Sequence, residues 1–330
     1  MKKALMTVLF CLCVCSALTV TASAQELVVG GQAVGIQVGT KGVIVAGLTQ
    51  VDTAGGTKSP AQSAGMKKGD VIEKINGTEV DTASALIDSV AALDGASAEL
   101  TVQRDGKTLR VTVQPVQNAE GQWMMGMWLR DGVSGIGTVT FCDPATGIYG
   151  ALGHSISDAD TGTKMPISEG SITDAEIVSV TRGTPGAPGE LNGCADTGRV
   201  LGSIEGNTAH GIFGKAYTAF GGRTIETGAI ATGPATIVST VSGSQPREYK
   251  VEINRIYRDA EGEHVMLTVV DPALCAQTGG IVQGMSGSPI LQGGRLVGAV
   301  THVFVNDPTR GYGVSIQDML ASAGVLEQAA

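Results

Sequence analysis

Glycine sets the terms on which this chain can fold: 48 of its 330 residues are Gly, and only 4% are aromatic. Gly in such numbers, between short runs of Val, Ile and Thr, reads as short strands joined by tight turns rather than long helices. Runs of this kind are Gly137 to Phe141, Ile177 to Thr181, Thr236 to Ser239, Tyr249 to Ile256 and Val265 to Val270. Many short strands at regular spacing predict a mainly β chain, folded as a barrel or a sandwich. Only Asp81 to Leu93 and Gln317 to Leu326 carry a helical pattern. In the first, Ala83, Leu86, Ile87, Val90 and Leu93 form the expected apolar face, Asp81 the expected cap and Gly95 the stop.

The first 24 residues stand apart. Lys2 and Lys3 precede an uncharged apolar run from Ala4 to Val20, and Ala22-Ser23-Ala24 supplies small residues where signal peptidase needs them. This predicts a signal peptide, residues 1–24, cleaved before Gln25, and hence export; the alternative is a retained membrane anchor. About 300 residues remain, enough for two domains. Loss of the two lysines takes the formal charge from −9 to −11, and no basic run is present, which argues against nucleic acid as a partner. Cys142, Cys194 and Cys275 are too few and too scattered for a disulfide framework, and no CxxC or HExxH spacing occurs. No metal or other cofactor is therefore expected.

From Val28 to about Pro115 the pattern is strand, strand, helix, hairpin. Strands are expected at Val34 to Val38 and Val43 to Leu48, and a hairpin turns at Asp105-Gly106. Ala64-Gly65-Met66, Gly69-Asp70-Val71-Ile72 and Ile75-Asn76-Gly77 resemble a PDZ domain of the bacterial protease-associated type. The resemblance implies that an extended peptide adds to a strand beside a helix, with backbone N–H groups for a terminal carboxylate. The matching segment is Ala33-Val34-Gly35-Ile36, at the start of the first strand; the lesser alternative is a turn that Gly35 allows. The domains so drawn are 25–116, PDZ, and 117–330, catalytic, with Gln114 to Met127 as a crossover of little pattern.

The strongest chemical signal is Gly284-Met285-Ser286-Gly287-Ser288-Pro289-Ile290. Flanking glycines let a backbone turn sharply and approach a substrate, and the N–H groups of Gly284 and Ser286 can converge as an oxyanion hole. The segment resembles the nucleophile loop of chymotrypsin-like serine peptidases, which implies a double β-barrel; the alternative is a Gly/Ser turn between strands. Ser288 is the rival nucleophile. His154, in the Gly-flanked turn Gly150 to Asp158, is the candidate base. Asp271, before Pro272, is the candidate acid, with Asp158 and Asp160 as rivals. His302 is placed to line the cleft or to sit half-buried in a strand.

Together, Ser134 to Thr138, Gly150 to His154, Gly279 to Ile290 and Gly298 to Thr309 resemble the stage IV sporulation protein B peptidase family. The resemblance implies a serine endopeptidase secreted between mother cell and forespore. It implies self-processing, and cleavage of a membrane-bound regulator that frees an intramembrane protease to activate a sigma factor. It places the nucleophile on Ser286, the base on His154 and the proposed acid on Asp271. A secreted PDZ-type binding protein with a degenerate catalytic domain is the alternative of a different class.

Overall fold

The computed structural model describes residues 25–158, 162 and 164–329. The expected signal segment and Asp160 lie outside the described residues. Two 16-residue strands, Ala33–Leu48 and Met127–Cys142, run antiparallel side by side and pass from one domain into the other. Nearly everything between Leu48 and Met127 belongs to the smaller domain, so that domain is inserted into a hairpin of the larger one.

The small domain stacks Met127–Arg130, Val43–Leu48, Val71–Ile75, Ala98–Arg104 and Lys107–Val113 as one sheet, with the helix Ala83–Ala92 packed on it. The helix is capped by Thr82, whose side chain accepts from the Ala85 N–H, and not by Asp81, which accepts from the Gly42 N–H. Leu86 and Val90 face the core, whereas Ile87 is 56% exposed and does not belong to the buried face expected of it. Asp70 of the Gly-Asp motif is fully buried and takes two bonds from Arg104, Nε to Oδ1 at 2.6 Å and Nη2 to Oδ2 at 2.7 Å. A two-pronged pair of this kind fixes geometry, and removing one partner strands a buried charge, at a cost of about 3–5 kcal/mol.

The core residues draw the domain boundary differently from the pattern of the sequence. Leu27, Val29, Val34, Ile36 and Val38 are buried in the cores of the large domain, while Trp123, Met125, Met127 and Leu129 pack in the small one. The segment 25–40 therefore belongs with the catalytic domain, and 116–130 with the small domain.

The large domain has two halves. In the first, the strands Gly211–Lys215, Ile148–Ala151, Met127–Cys142, Ala33–Leu48, Ile167–Thr181 and Glu190–Ser203 follow one another. A bridge between Gly202 and Ala216 brings the last back to the first. The second is a closed six-stranded barrel: Gly233–Ser239, Arg247–Asp259, Gly262–Val269, Asp307–Ser315, Arg295–Phe304 and Pro289–Gln292. The fold is mainly β, two barrel-like halves with a small α+β domain. Leu27, Phe141, Phe213, Leu296, Val314 and the C-terminal helix Ile316–Ala329 seal the seam between the halves. Cys142, Cys194 and Cys275, the cysteines among the described residues, are free. No described helix is long and apolar enough to cross a membrane.

Candidate active site

The two halves meet at a cleft of about 440 Å³. His154, Leu152 and Ile36 line it from the first half, and Ser286, Thr301, His302 and Ile281 from the second. Ser286 and His154, 132 residues apart in the sequence, thus share one wall-to-wall space.

The loop that carries Ser286 is held by its carbonyls and its neighbours. Met285 is fully buried in the second core. Thr138 donates from its N–H to the Ser286 carbonyl at 3.0 Å and from its hydroxyl to the Gly284 carbonyl at 2.8 Å. Thr140 donates from its hydroxyl to the Gly287 carbonyl at 2.8 Å. Gly287, at φ +94, lies so close to the strand that a Cβ would fall 2.0 Å from the Thr138 carbonyl oxygen. Only glycine fits there. The N–H groups of Gly284 and Ser286 have no acceptor among the described residues. Two clamped, unengaged donors flanking a serine can stabilise an oxyanion, each being worth about 3 kcal/mol in the transition state. Ser288, the rival, is fully buried and donates to the Met285 carbonyl at 2.7 Å. It closes the loop and does not face the cleft.

His154 sits after Leu152 at φ +68 and Gly153 at φ +71. A branched side chain in the left-handed region is uncommon and costly, and such strain gathers at functional turns. The ring Nδ1 lies 2.9 Å from the Ser155 carbonyl oxygen. A carbonyl only accepts, so the neutral ring carries its proton on Nδ1 and leaves Nε2 as the base. Burial pushes the His154 pKa below its ordinary value, against the bond to Ser155. The ring is therefore neutral at pH 7, as a general base must be. The Ser286 hydroxyl donates to the Thr301 carbonyl at 2.6 Å. Transfer of its proton to His154 requires rotation of that side chain.

Asp271 does not join them. It caps the short helix Pro272–Thr278. Its Oδ1 accepts from the Ala273 and Leu274 N–H groups at 2.9 and 3.2 Å, and its Oδ2 from the Lys250 N–H at 3.1 Å. Partial burial pushes its pKa up, but these N–H groups outweigh it and hold the carboxyl below the usual range. Both oxygens serve backbone structure, and neither contacts His154. The rival Asp158 is fully buried and paired with Arg130 at 2.6 Å. The orienting partner of His154 is instead the Ser155 carbonyl, and its ring neighbour is His302, with centroids 4.5 Å apart. Desolvation in the cleft, and then the neighbouring His154, push the His302 pKa down to about 4, although the residue is exposed by surface area and solvent tempers the effect.

The peptide-binding segment expected at Ala33, Val34, Gly35 and Ile36 is not an open edge. Ile36 pairs with Gly135 on one side and Ile172 on the other, and Ala33, Val34 and Ile36 are buried. Its backbone is already in a ladder on both edges, so a peptide has nothing left to bond. The residues that offer such an edge are Met127 to Arg130. They pair with Ile44 to Leu48 on one side only, and the helix Ala83–Ala92 flanks them. At their start Gly126 holds φ +76, and the N–H groups of Met125 and Gly126 have no acceptor among the described residues. Successive N–H groups around one left-handed residue form a concavity suited to a carboxylate. Ile87, Met124 and Trp128 add exposed apolar side chains there.

Both domains match known protein families. Residues 51–104 match the PDZ domain family, and residues 121–320 match the family SpoIVB peptidase S55. A candidate zinc metalloprotease of Clostridium perfringens is 35% identical over 69 residues, 21% of either chain. A second, of Lactococcus lactis, is 31% identical over 105 residues, 30% of this chain and 24% of the other. The chain thus spans about a quarter or less of the length of these relatives. Among solved structures, the active form of the Rv3671c protease of M. tuberculosis is similar at TM-score 0.34 and 14% identity, over 58% of this chain and 75% of that one. Its inactive mutant form gives TM-score 0.34 at 10% identity, over 58% and 82%. The match over 121–320 covers more than half of the chain and includes every residue of the cleft described above except Ile36: the chain belongs to the SpoIVB peptidase S55 family.

Proposed function

We propose that the chain is an exported endopeptidase in which Ser286 is the nucleophile, His154 the general base, and the N–H groups of Gly284 and Ser286 the oxyanion hole. The observation that carries this is the cleft itself, which brings Ser286, a neutral His154 and two unengaged N–H groups together from opposite halves. Ser286 Oγ attacks the peptide carbonyl carbon as His154 Nε2 takes its proton. The C–N bond then breaks as His154 returns that proton to the leaving amine. Water, deprotonated by His154, attacks the acyl-enzyme, and the proton ends on Ser286 Oγ. Apolar lining from Ile36, Ile136, Ile281 and Val282 suits an extended chain with apolar side chains.

The substrate class is protein. Family membership supports the finer reading: the chain processes itself and cuts the extracytoplasmic part of a membrane protein, which triggers intramembrane proteolysis during sporulation. The PDZ groove binds a peptide ligand, from a partner or from the chain itself.

The test is processing in trans. Wild-type protein converts the Ser286→Ala chain to a shorter product, while Ser286→Ala protein alone stays intact. Persistence of the full-length Ser286→Ala chain beside labelled, active wild type overturns self-processing. The bond from Ser286 to Thr301, rather than to His154, favours a second reading, a binding protein with a silent cleft. A wild-type chain that neither cuts nor reacts with a serine-directed probe supports it.

A further inference from the structure

The groove and the cleft share a strand. Met127–Cys142 begins as the open edge beside the helix Ala83–Ala92 and ends where Thr138 clamps the Ser286 loop. Between these points Arg130 reaches across to Asp158, Nη1 to Oδ2 at 2.6 Å. Asp158 is fully buried, and it closes the turn that begins with His154. That turn has a second anchor in Asn207, which accepts from the Ile156 N–H at 2.8 Å and donates to the Ile156 carbonyl at 2.9 Å. The turn of His154 is thus held from inside its own half and, through Arg130, from the groove strand.

The groove strand is also where the ladder slips. Its pairing with Ala33–Leu48 shifts register between Trp128 and Leu129 and again between Arg130 and Gly132. Asp131, in the second shift, accepts from the Ala83 N–H at 2.7 Å and ties the strand to the first turn of the helix. Irregular pairing confines a displacement to a few residues, and Arg130 is among them. A peptide that adds to Met127–Arg130 enters between strand and helix, and so acts on these ties.

We infer that the Arg130–Asp158 ion pair couples the peptide groove to the catalytic base: a peptide docked along Met127–Arg130 resets the turn that holds His154. Arg130 and Asp158 are positioning residues and touch no substrate. The inference rests on the proposed roles of His154 and of the groove. The ligand chemistry is an extended peptide with a free terminal carboxylate, for the N–H groups of Met125 and Gly126, and an apolar last side chain. An ion pair whose acidic partner is buried suits the task, because it holds two elements in one arrangement and cannot be broken without leaving a buried charge. Coupling of this kind requires that the ligand favour one setting of the turn over another.

The chain lends itself to the test. It has only two tryptophans, of which Trp128 stands exposed on the groove strand and Trp123 packs on the small-domain core, and it has four histidines. An acetylated pentapeptide ending in valine with a free carboxylate is titrated into the full mature protein, with its C-terminal amide as control. Tryptophan fluorescence reports binding. The His154 ring resonance, assigned by its absence in His154→Ala, reports the base. The free acid is expected to change the fluorescence and shift His154 while His210 and His264 stay. In Arg130→Gln with Asp158→Asn, which removes both charges together, fluorescence still responds and the His154 shift is lost. Arg130→Lys, which keeps the charge, retains the shift. A saturating fluorescence change with His154 unmoved in the wild type overturns the inference, as does an equal shift in the double variant. So does a fluorescence that ignores the free acid. Failure of the catalytic reading shows separately, as absence of serine-probe labelling at Ser286.

Discussion

Ser286 and Asp271 are fifteen residues apart and both sit at sharp corners, one beside glycines and one before proline. Their side chains are employed in opposite ways. At Ser286 the backbone is clamped by Thr138 and by the buried Met285, and the side chain is left at the cleft with one carbonyl partner. At Asp271 both carboxylate oxygens hold backbone N–H groups of the helix Pro272–Thr278 and of Lys250. A residue is available for chemistry when its backbone is fixed by others and its side chain fixes nothing. By that measure Ser286 and His154 are available and Asp271 is not.

The contrast predicts a steep order of effects. Ser286→Ala and His154→Ala each lower kcat by up to about 10⁶-fold, with folding intact by circular dichroism. Thr138→Val removes the hydroxyl that holds the Gly284 carbonyl while preserving shape. Loosening one oxyanion donor in this way lowers kcat by about 10²-fold with KM little changed, measured by steady-state kinetics. Asp271→Ala leaves kcat within a few-fold and lowers stability by about 0.5–2 kcal/mol in urea melts, as loss of a helix cap does. If Asp271→Ala instead matches His154→Ala in kcat, the contrast fails.

The smallest effect is in pH dependence. His154 and His302 both have pKa values below the ordinary histidine value. Between about 4 and 6.5 the unfolded chain therefore binds more protons than the folded one, so stability falls as the solution is acidified through that range. His302→Asn removes one of these two shifts, and the expected outcome is a flatter stability profile over that range, read from thermal melts. An unchanged profile places the acid sensitivity elsewhere.

Much of this was legible locally. The glycine-flanked Ser286 and the turn of His154 are short, dense patterns whose conformations follow from their own residues. The helix at Ala83–Ala92 and the C-terminal helix show in their apolar spacing. What depended on distant partners was not legible. Ala33 to Ile36 carries a plausible open-edge pattern, yet its two edges are filled by strands that lie roughly 100 and 140 residues further on. Met127 to Arg130, which begins in the crossover of little pattern that ends at Met127, is the edge that remains open. Asp271 is a different case: an aspartate followed by proline is a helix-start signature. It was outweighed by the expectation of an acid in the chain order of the peptidase, although the local chemistry pointed to a cap.

The most direct test is labelling of the purified mature protein with a fluorophosphonate probe, with Ser286→Ala, His154→Ala and Asp271→Asn alongside. The account predicts a labelled wild type, a comparably labelled Asp271→Asn, no label on Ser286→Ala and little on His154→Ala. Label on Ser286→Ala, or an Asp271→Asn variant as inert as His154→Ala, would contradict it.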